Sequence, residues 1–193
     1  MEYPTNIDVQ TPETFDRWRP IGQPVLAIPH LIISSAFNSL SSAIAVVSWF
    51  LIVFTGKLPE GLANLQVMLL RYSTRAQLYA GFLYSAYPPF DFTVVANEPG
   101  GSPVLLDVRP ELENRDRLRV GLRIFWVIPA MLFTFVVAVV GLISWIGAFF
   151  AVLFTGKWPA GLRSWVMKLV RVSTRLSVYA SMLTDRYPPY STD

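Results

Sequence analysis

Charged residues vanish from this chain in two long blocks. No Asp, Glu, Lys or Arg occurs between Arg19 and Lys57, a run of 37 residues, or between Arg123 and Lys157, a run of 33. A bilayer core about 30 Å thick needs roughly 20 apolar helical residues, so either block is long enough to cross. Residues 124–154 are apolar on every side, whereas the first block is interrupted by Ser34, Ser35, Asn38, Ser39, Ser41 and Ser42. The first reads as a packing helix and the second as a lipid-facing one. Each block ends in Thr-Gly-Lys-x-Pro, where Gly56 and Pro59, or Gly156 and Pro159, punctuate a turn. Second helices are predicted over about 60–84 and 160–183. Each is expected to end at Tyr-Pro-Pro, with Pro88 and Pro89 or Pro188 and Pro189, because the residue before a proline avoids the α region. Alternating stretches at 7–10 and 104–109 predict short strands, and 90–95 with 104–108 predict a hairpin across the turn at 97–102.

The two blocks belong to a tandem duplication with an offset of 100 residues. Phe54-Thr55-Gly56-Lys57 returns as Phe154-Thr155-Gly156-Lys157, and Arg71-x-Ser73-Thr74-Arg75 as Arg171-x-Ser173-Thr174-Arg175. Tyr87-Pro88-Pro89 returns as Tyr187-Pro188-Pro189; over 54–89 against 154–189, 18 of 36 positions are identical without a gap. Unrelated helices do not share motifs in this order. The expected organisation is a first membrane repeat at 1–95, a linker turn at 96–103 and a second repeat at 104–193. Each repeat is a short strand plus a helical hairpin.

A basic stripe complicates the second helices: Arg71 and Arg75 in one, Lys168, Arg171 and Arg175 in the other. At the bilayer centre each cation costs about 2.5–3.5 kcal/mol on the insertion scale. Such a helix either crosses with its stripe turned inward or lies in the interface. A sheet built from both halves favours two parallel repeats crossing twice each, with Arg17-x-Arg19, Arg117-x-Arg119 and the strands on one side. The Lys57 and Lys157 corners then lie on the other. Arginine counting places the terminal side, and a small β-sheet, in the cytoplasm. The expected fold is thus mainly α, integral and multi-pass, with both termini cytoplasmic. The small-residue stripe Ser34, Asn38, Ser41 and Ser48, matched by Thr134, Ala138, Gly141 and Ala148, is expected to pack the two halves together.

Composition narrows the chemistry. Charged residues make up 15% of the chain and apolar ones 53%, with mean hydropathy +0.43, against roughly 25% charged in an ordinary globular domain. The absence of cysteine excludes a disulfide scaffold, a thiolate metal site and a cysteine nucleophile. The one histidine, His30, reads as a buried imidazole bonded within the fold. No metal or cofactor is expected, and a net charge of +3 argues against nucleic acid. The paired arginines Arg71, Arg75, Arg171 and Arg175 are expected to anchor structure, satisfying buried carbonyls or meeting Asp91 and Asp185. Their second reading is recognition of anionic lipid headgroups. An enzyme would need a polar cluster around His30 and Ser73–Arg75. The leading expectation is a non-catalytic membrane protein, a scaffold or accessory subunit meeting other membrane proteins or further copies of itself. The alternative is an anionic-lipid binder or transporter.

The string Phe154-Thr155-Gly156-Lys157-x-Pro159-x-Gly161-Leu162, then Arg171, Arg175 and Tyr179, then Asp185-Arg186-Tyr187-Pro188-Pro189-Tyr190, resembles a bacterial membrane-protein family, domain of unknown function 4389. The resemblance covers almost the whole chain as two copies. The first copy departs from the pattern with Ser85-Ala86 before Tyr87. It implies residence in the bacterial cytoplasmic membrane and transfers no catalytic residue.

Overall fold

Helix punctuation decides the element boundaries. The structure, a computed structural model, describes residues 3–192. In chain order it holds β1 (Thr5–Val9), α1 (Arg19–Leu26), α2 (Ile28–Thr55), α3 (Glu60–Ala80), β2 (Val104–Val108), α4 (Arg117–Gly121), α5 (Arg123–Thr155) and α6 (Ala160–Ala180). The fold is mainly helical, with one small antiparallel sheet. Both long helices, α2 and α5, stop at a left-handed glycine, Gly56 at φ 72° and Gly156 at φ 70°, the conformation a helix C-terminus favours and glycine adopts without a Cβ clash. The short α1 and α4 precede them. Asp116 caps α4 by accepting from the Leu118 and Arg119 N–H groups at 3.1 Å each.

The second helices end earlier than the prolines predict. At the end of α3 the Leu83 N–H donates to Leu78 O and Phe82 stands at φ 48°; at the end of α6 Leu183 donates to Val178 O with Met182 at φ 64°. This is a Schellman-type ending with a bulky residue in the glycine position. Packing holds Phe82 there: its ring meets Trp145 and Trp158 at 5.4 and 5.3 Å. Tertiary contact, rather than Tyr-Pro-Pro, terminates the helix.

Of the predicted strands, 90–95 forms none. β1 pairs instead with β2, antiparallel, Ile7 opposite Leu106, so each half contributes one strand. Ile7, Val9, Val104, Leu106 and Val108 point inward and are buried, while Asn6 and Asp8 are exposed, the two-residue period of a half-buried sheet.

The helices lie flat beneath this sheet rather than standing on it. Arg71 donates to Leu106 O and Arg75 to Val104 O. Four helical residues advance about 6 Å and two strand residues about 6.8 Å, so α3 runs alongside β2. The opposite face of α3 meets α2: Gln66 donates to Ser41 O at 3.0 Å. Likewise the Leu169 side chain of α6 covers Gly141 of α5. Three layers result: sheet, then α3 with α6, then α2 with α5.

This packing overturns the parallel arrangement of the repeats. The end of α2 abuts the start of the second half: Trp49 donates to Val120 O, the Arg115 N–H to Gly56 O, and Lys57 pairs with Glu113 at 3.4 Å. At the other end of the molecule Phe15 N–H donates to Gly156 O and Trp145 to Gly81 O. Each Thr-Gly-Lys corner therefore sits beside the basic turn of the other half, and α2 runs antiparallel to α5. Antiparallel pairing of equivalent strands relates the halves by a two-fold axis, and helices parallel to the sheet are reversed by it. The small-residue stripe is corrected at two of its positions. Gly141 packs against Leu169, and Ser41 bonds Gln66, inside each half's own hairpin; Ser34, Ser48 and Ala148 are buried, Thr134 and Ala138 half-buried, and Asn38 is exposed.

Candidate functional site

Guanidinium groups buried without partners are unaffordable, so the basic stripe has to be neutralised from somewhere. In the first half a single carboxylate does it. Glu98, in the turn between the halves, pairs with Arg75 and lies 3.1 Å from Arg71; the two arginine side chains are 6% and 4% exposed. Its second oxygen accepts the Leu106 N–H at 3.1 Å. Arg71 further donates to the carbonyls of Leu106, Val95 and Ala96 at 2.9–3.1 Å, which tie residues 95–96 to α3. Asp91, the expected partner, is secondary at 3.8 Å from Arg75. Its carboxyl is held below the usual range, first by hydrogen bonds from the Thr93 hydroxyl and N–H. Nothing in the sequence marks Glu98 as buried, because an acid in a Pro-Gly-Gly turn is an ordinary surface pattern.

In the second half the buried carboxylate sits elsewhere. Asp185 accepts from Arg115 at 2.6 Å and Arg123 at 2.7 Å, both buried, and from the Asp116 N–H at 2.9 Å. It does not meet Arg171 or Arg175. Burial raises the Asp185 pKa, but the hydrogen bond and charge of Arg115 outweigh it and hold the carboxyl below its ordinary value. Arg123 also lies over the Tyr179 ring at 4.4 Å. The equivalent positions of the first half are neutral: Phe15, Gln23 and Ser85, with Gln23 donating to Tyr84 O at 2.7 Å.

Of the remaining basic residues of the stripe, Lys168 and Arg175 are half-buried and Arg171 is exposed. Lys168 lies 4.3 Å from the Trp165 ring, and Arg175 donates to Ser191 O at 3.1 Å. Arg171, Arg175 and Thr174 line a cavity of about 370 Å³ closed on the other side by Tyr3, Thr5, Asn6 and Ile7 of the β1 segment.

His30 and Ser73–Arg75 are not brought together. His30 Nδ1 lies 2.7 Å from the Tyr72 hydroxyl, and its ring stacks on Phe90 at 4.2 Å. It clamps the 87–92 segment to α2 and α3. Arg75 points to the sheet, and Ser73 faces the opposite groove beside Ser173 and Ser177. Among the described residues no group of three His, Asp or Glu could hold a metal ion.

α2 and α5 are each long and apolar enough to cross a membrane, and only 17% and 28% of their most apolar stretches are buried. No curated protein and no solved structure matches the chain. A family model matches it twice, over residues 23–91 and 117–192, one segment for each repeat. The chain therefore belongs to the family described as domain of unknown function 4389, in two tandem copies.

Proposed function

We propose that the protein is a non-catalytic membrane protein embedded by one face, acting as a scaffold or accessory subunit that meets other membrane proteins or further copies of itself. The observation that carries this reading is the outer layer. Ile32, Val46, Phe50 and Phe54 of α2, and Phe125, Phe135, Val136, Ile143 and Phe154 of α5, are all at least half exposed. Large apolar side chains exposed along the whole of both helices mark a membrane or protein contact.

The layering supports one orientation. Asp8, Asp107 and Arg109 lie on the sheet, level with the middle of α3 and α6. If α2 and α5 stood across the bilayer, these charges would lie near its midplane, at about 2.5–3.5 kcal/mol each. With the α2 and α5 layer sunk in lipid, the sheet faces water or a partner, and both corners and the sheet share one compartment. In this reading the bacterial cytoplasmic membrane is the host. The buried charges support a structural role: Glu98 and Asp185 each hold two arginines against backbone carbonyls.

Single-cysteine variants test the layout cleanly, since the chain has no native cysteine. In intact cells a membrane-impermeant maleimide is expected to treat Lys57→Cys and Lys157→Cys alike. Phe50→Cys and Phe135→Cys are expected to react only after detergent. Labelling of the two corners from opposite compartments would refute one-face embedding. Purification in mild detergent as a monodisperse monomer, with no partner cross-linked in cells, would refute the scaffold role.

A further inference from the structure

The two halves fold alike, yet one flank of α2 differs in chemistry from the equivalent flank of α5. Ser34, Ser35, Asn38, Ser39 and Ser42 of α2, with Gln77 of α3, line a groove of about 380 Å³. The counterparts of the five α2 residues are Thr134, Phe135, Ala138, Val139 and Leu142. The same hairpin therefore forms with a largely apolar flank, so folding does not require the polar one.

Asn38 and Gln77 also line a second hollow of about 130 Å³ between α3 and α6, together with Ser73, Ser173 and Ser177. The polar surface thus runs from α2 into the seam where the halves meet. Two hydroxyls within it are shut away from solvent and unanswered. Ser34 is 3% exposed and Ser73 4%, and neither Oγ has a hydrogen-bond partner among the described residues. A buried hydroxyl left without a partner is costly, which points to a hydrogen-bonding group that enters the groove. Every residue lining either hollow belongs to α2, α3 or α6, and none of them is charged.

We propose that this groove binds the headgroup of a neutral glycolipid, with sugar hydroxyls against Ser34, Ser73, Asn38 and Gln77 and acyl chains along the apolar outer layer. Serine hydroxyls and carboxamides both donate and accept, as sugar hydroxyls do. A phosphate or an ammonium would shed its hydration here with no opposite charge to meet it. Leu31 forms part of the groove wall, and Ile32 and Leu40 of the same stretch of α2 are exposed, which gives the chains an apolar bed. A volume of about 380 Å³ falls in the range of small-ligand sites. Entry from lipid rests on the one-face embedding proposed above, whereas the hydrogen-bonding set does not.

The test is native mass spectrometry of the full chain in a sugar-free polyoxyethylene detergent. The probes are monoglucosyl diacylglycerol, phosphatidic acid and phosphatidylcholine of matched chains, and free glucose. The glycolipid is expected to bind about fivefold or more tighter than either phospholipid, and glucose to show no binding at millimolar concentration. Ser34→Ala combined with Ser73→Ala removes two hydroxyls and no hydrogen bond of the fold. It is expected to weaken glycolipid binding about tenfold while the melting temperature stays level or rises. Thr134→Ala, at the counterpart of Ser34, removes a hydroxyl already donated to Ala130 O and is expected to leave binding unchanged. Equal binding of the three lipids, glucose binding as tight as the glycolipid, or a double variant with wild-type affinity would overturn the proposal. Labelling of Phe50→Cys without detergent would instead overturn the embedding and leave the glycolipid preference standing, so the two readings fail separately.

Discussion

Replacing Glu98 by glutamine isolates the charge that holds the sheet to α3. The amide keeps the size of the side chain but leaves Arg71 and Arg75 buried without their shared counter-ion. Removing one partner of a buried pair costs about 3–5 kcal/mol. Arg71 retains three carbonyl acceptors, while Arg75 keeps only Val104 O at 3.4 Å and Asp91 at 3.8 Å. The lower end, about 3 kcal/mol, is therefore expected. For a chain of this size each kcal/mol lowers Tm by about 2–4 °C, giving a drop of roughly 6–12 °C. Intrinsic fluorescence of the six tryptophans in detergent follows the transition. Asp91→Asn is the internal control: the contact is long and the side chain 27% exposed, so less than about 1 kcal/mol should be lost. A Glu98→Gln protein melting within about 2 °C of wild type, or an Asp91→Asn protein equally damaged, would refute the assignment of Glu98 as the counter-ion.

Two further outcomes follow from the same geometry. Because the Asp185 pKa is depressed in the folded state, its stabilisation is complete above the ordinary aspartate value of about 3.9 and is lost as pH falls through the folded value. Melting temperature against pH should therefore fall on the acid side, and Asp185→Asn should be less stable at neutral pH with a flatter acid limb; an unchanged limb would exclude Asp185 as a source. A Cβ at Gly141 would stand 2.7–2.8 Å from Leu169 side-chain atoms, whereas one at Gly161 meets nothing within 4 Å. Gly141→Ala is expected to cost about 1–3 kcal/mol and Gly161→Ala to be neutral or mildly stabilising, as chemical denaturation in detergent would show; equal stabilities would mean that α5 and α6 do not pack there.

Much of the local structure was legible because its causes are local. The Gly56 and Gly156 stops follow from backbone freedom, and the strands at 7 and 104 from alternation. The long apolar helices follow from the free energy of removing charge from water. Family membership was legible in the same way, from motifs at fixed spacing. The basic stripe was recognised as an anchor, but its true counter-ion was not, since burial of Glu98 is conferred by the sheet and α3 together. The Phe82 helix ending escaped for a like reason: no sequence pattern announces a left-handed phenylalanine locked between two tryptophans.

The tandem repeat, the two charge-free helices and the short strands at 7 and 104 are properties of the chain itself, set by composition and period, whereas the pairing of β1 with β2 in place of a hairpin from 90–95 is tertiary. Whether the two halves lie side by side in the same sense or head to tail is tertiary too, because a two-fold axis along the helices and one across them place identical motifs in contact with identical strands. Tertiary structure chose the second. α3 runs along β2 so that Arg71 and Arg75 reach successive strand carbonyls, and each helix-ending glycine carbonyl meets a donor from the opposite half.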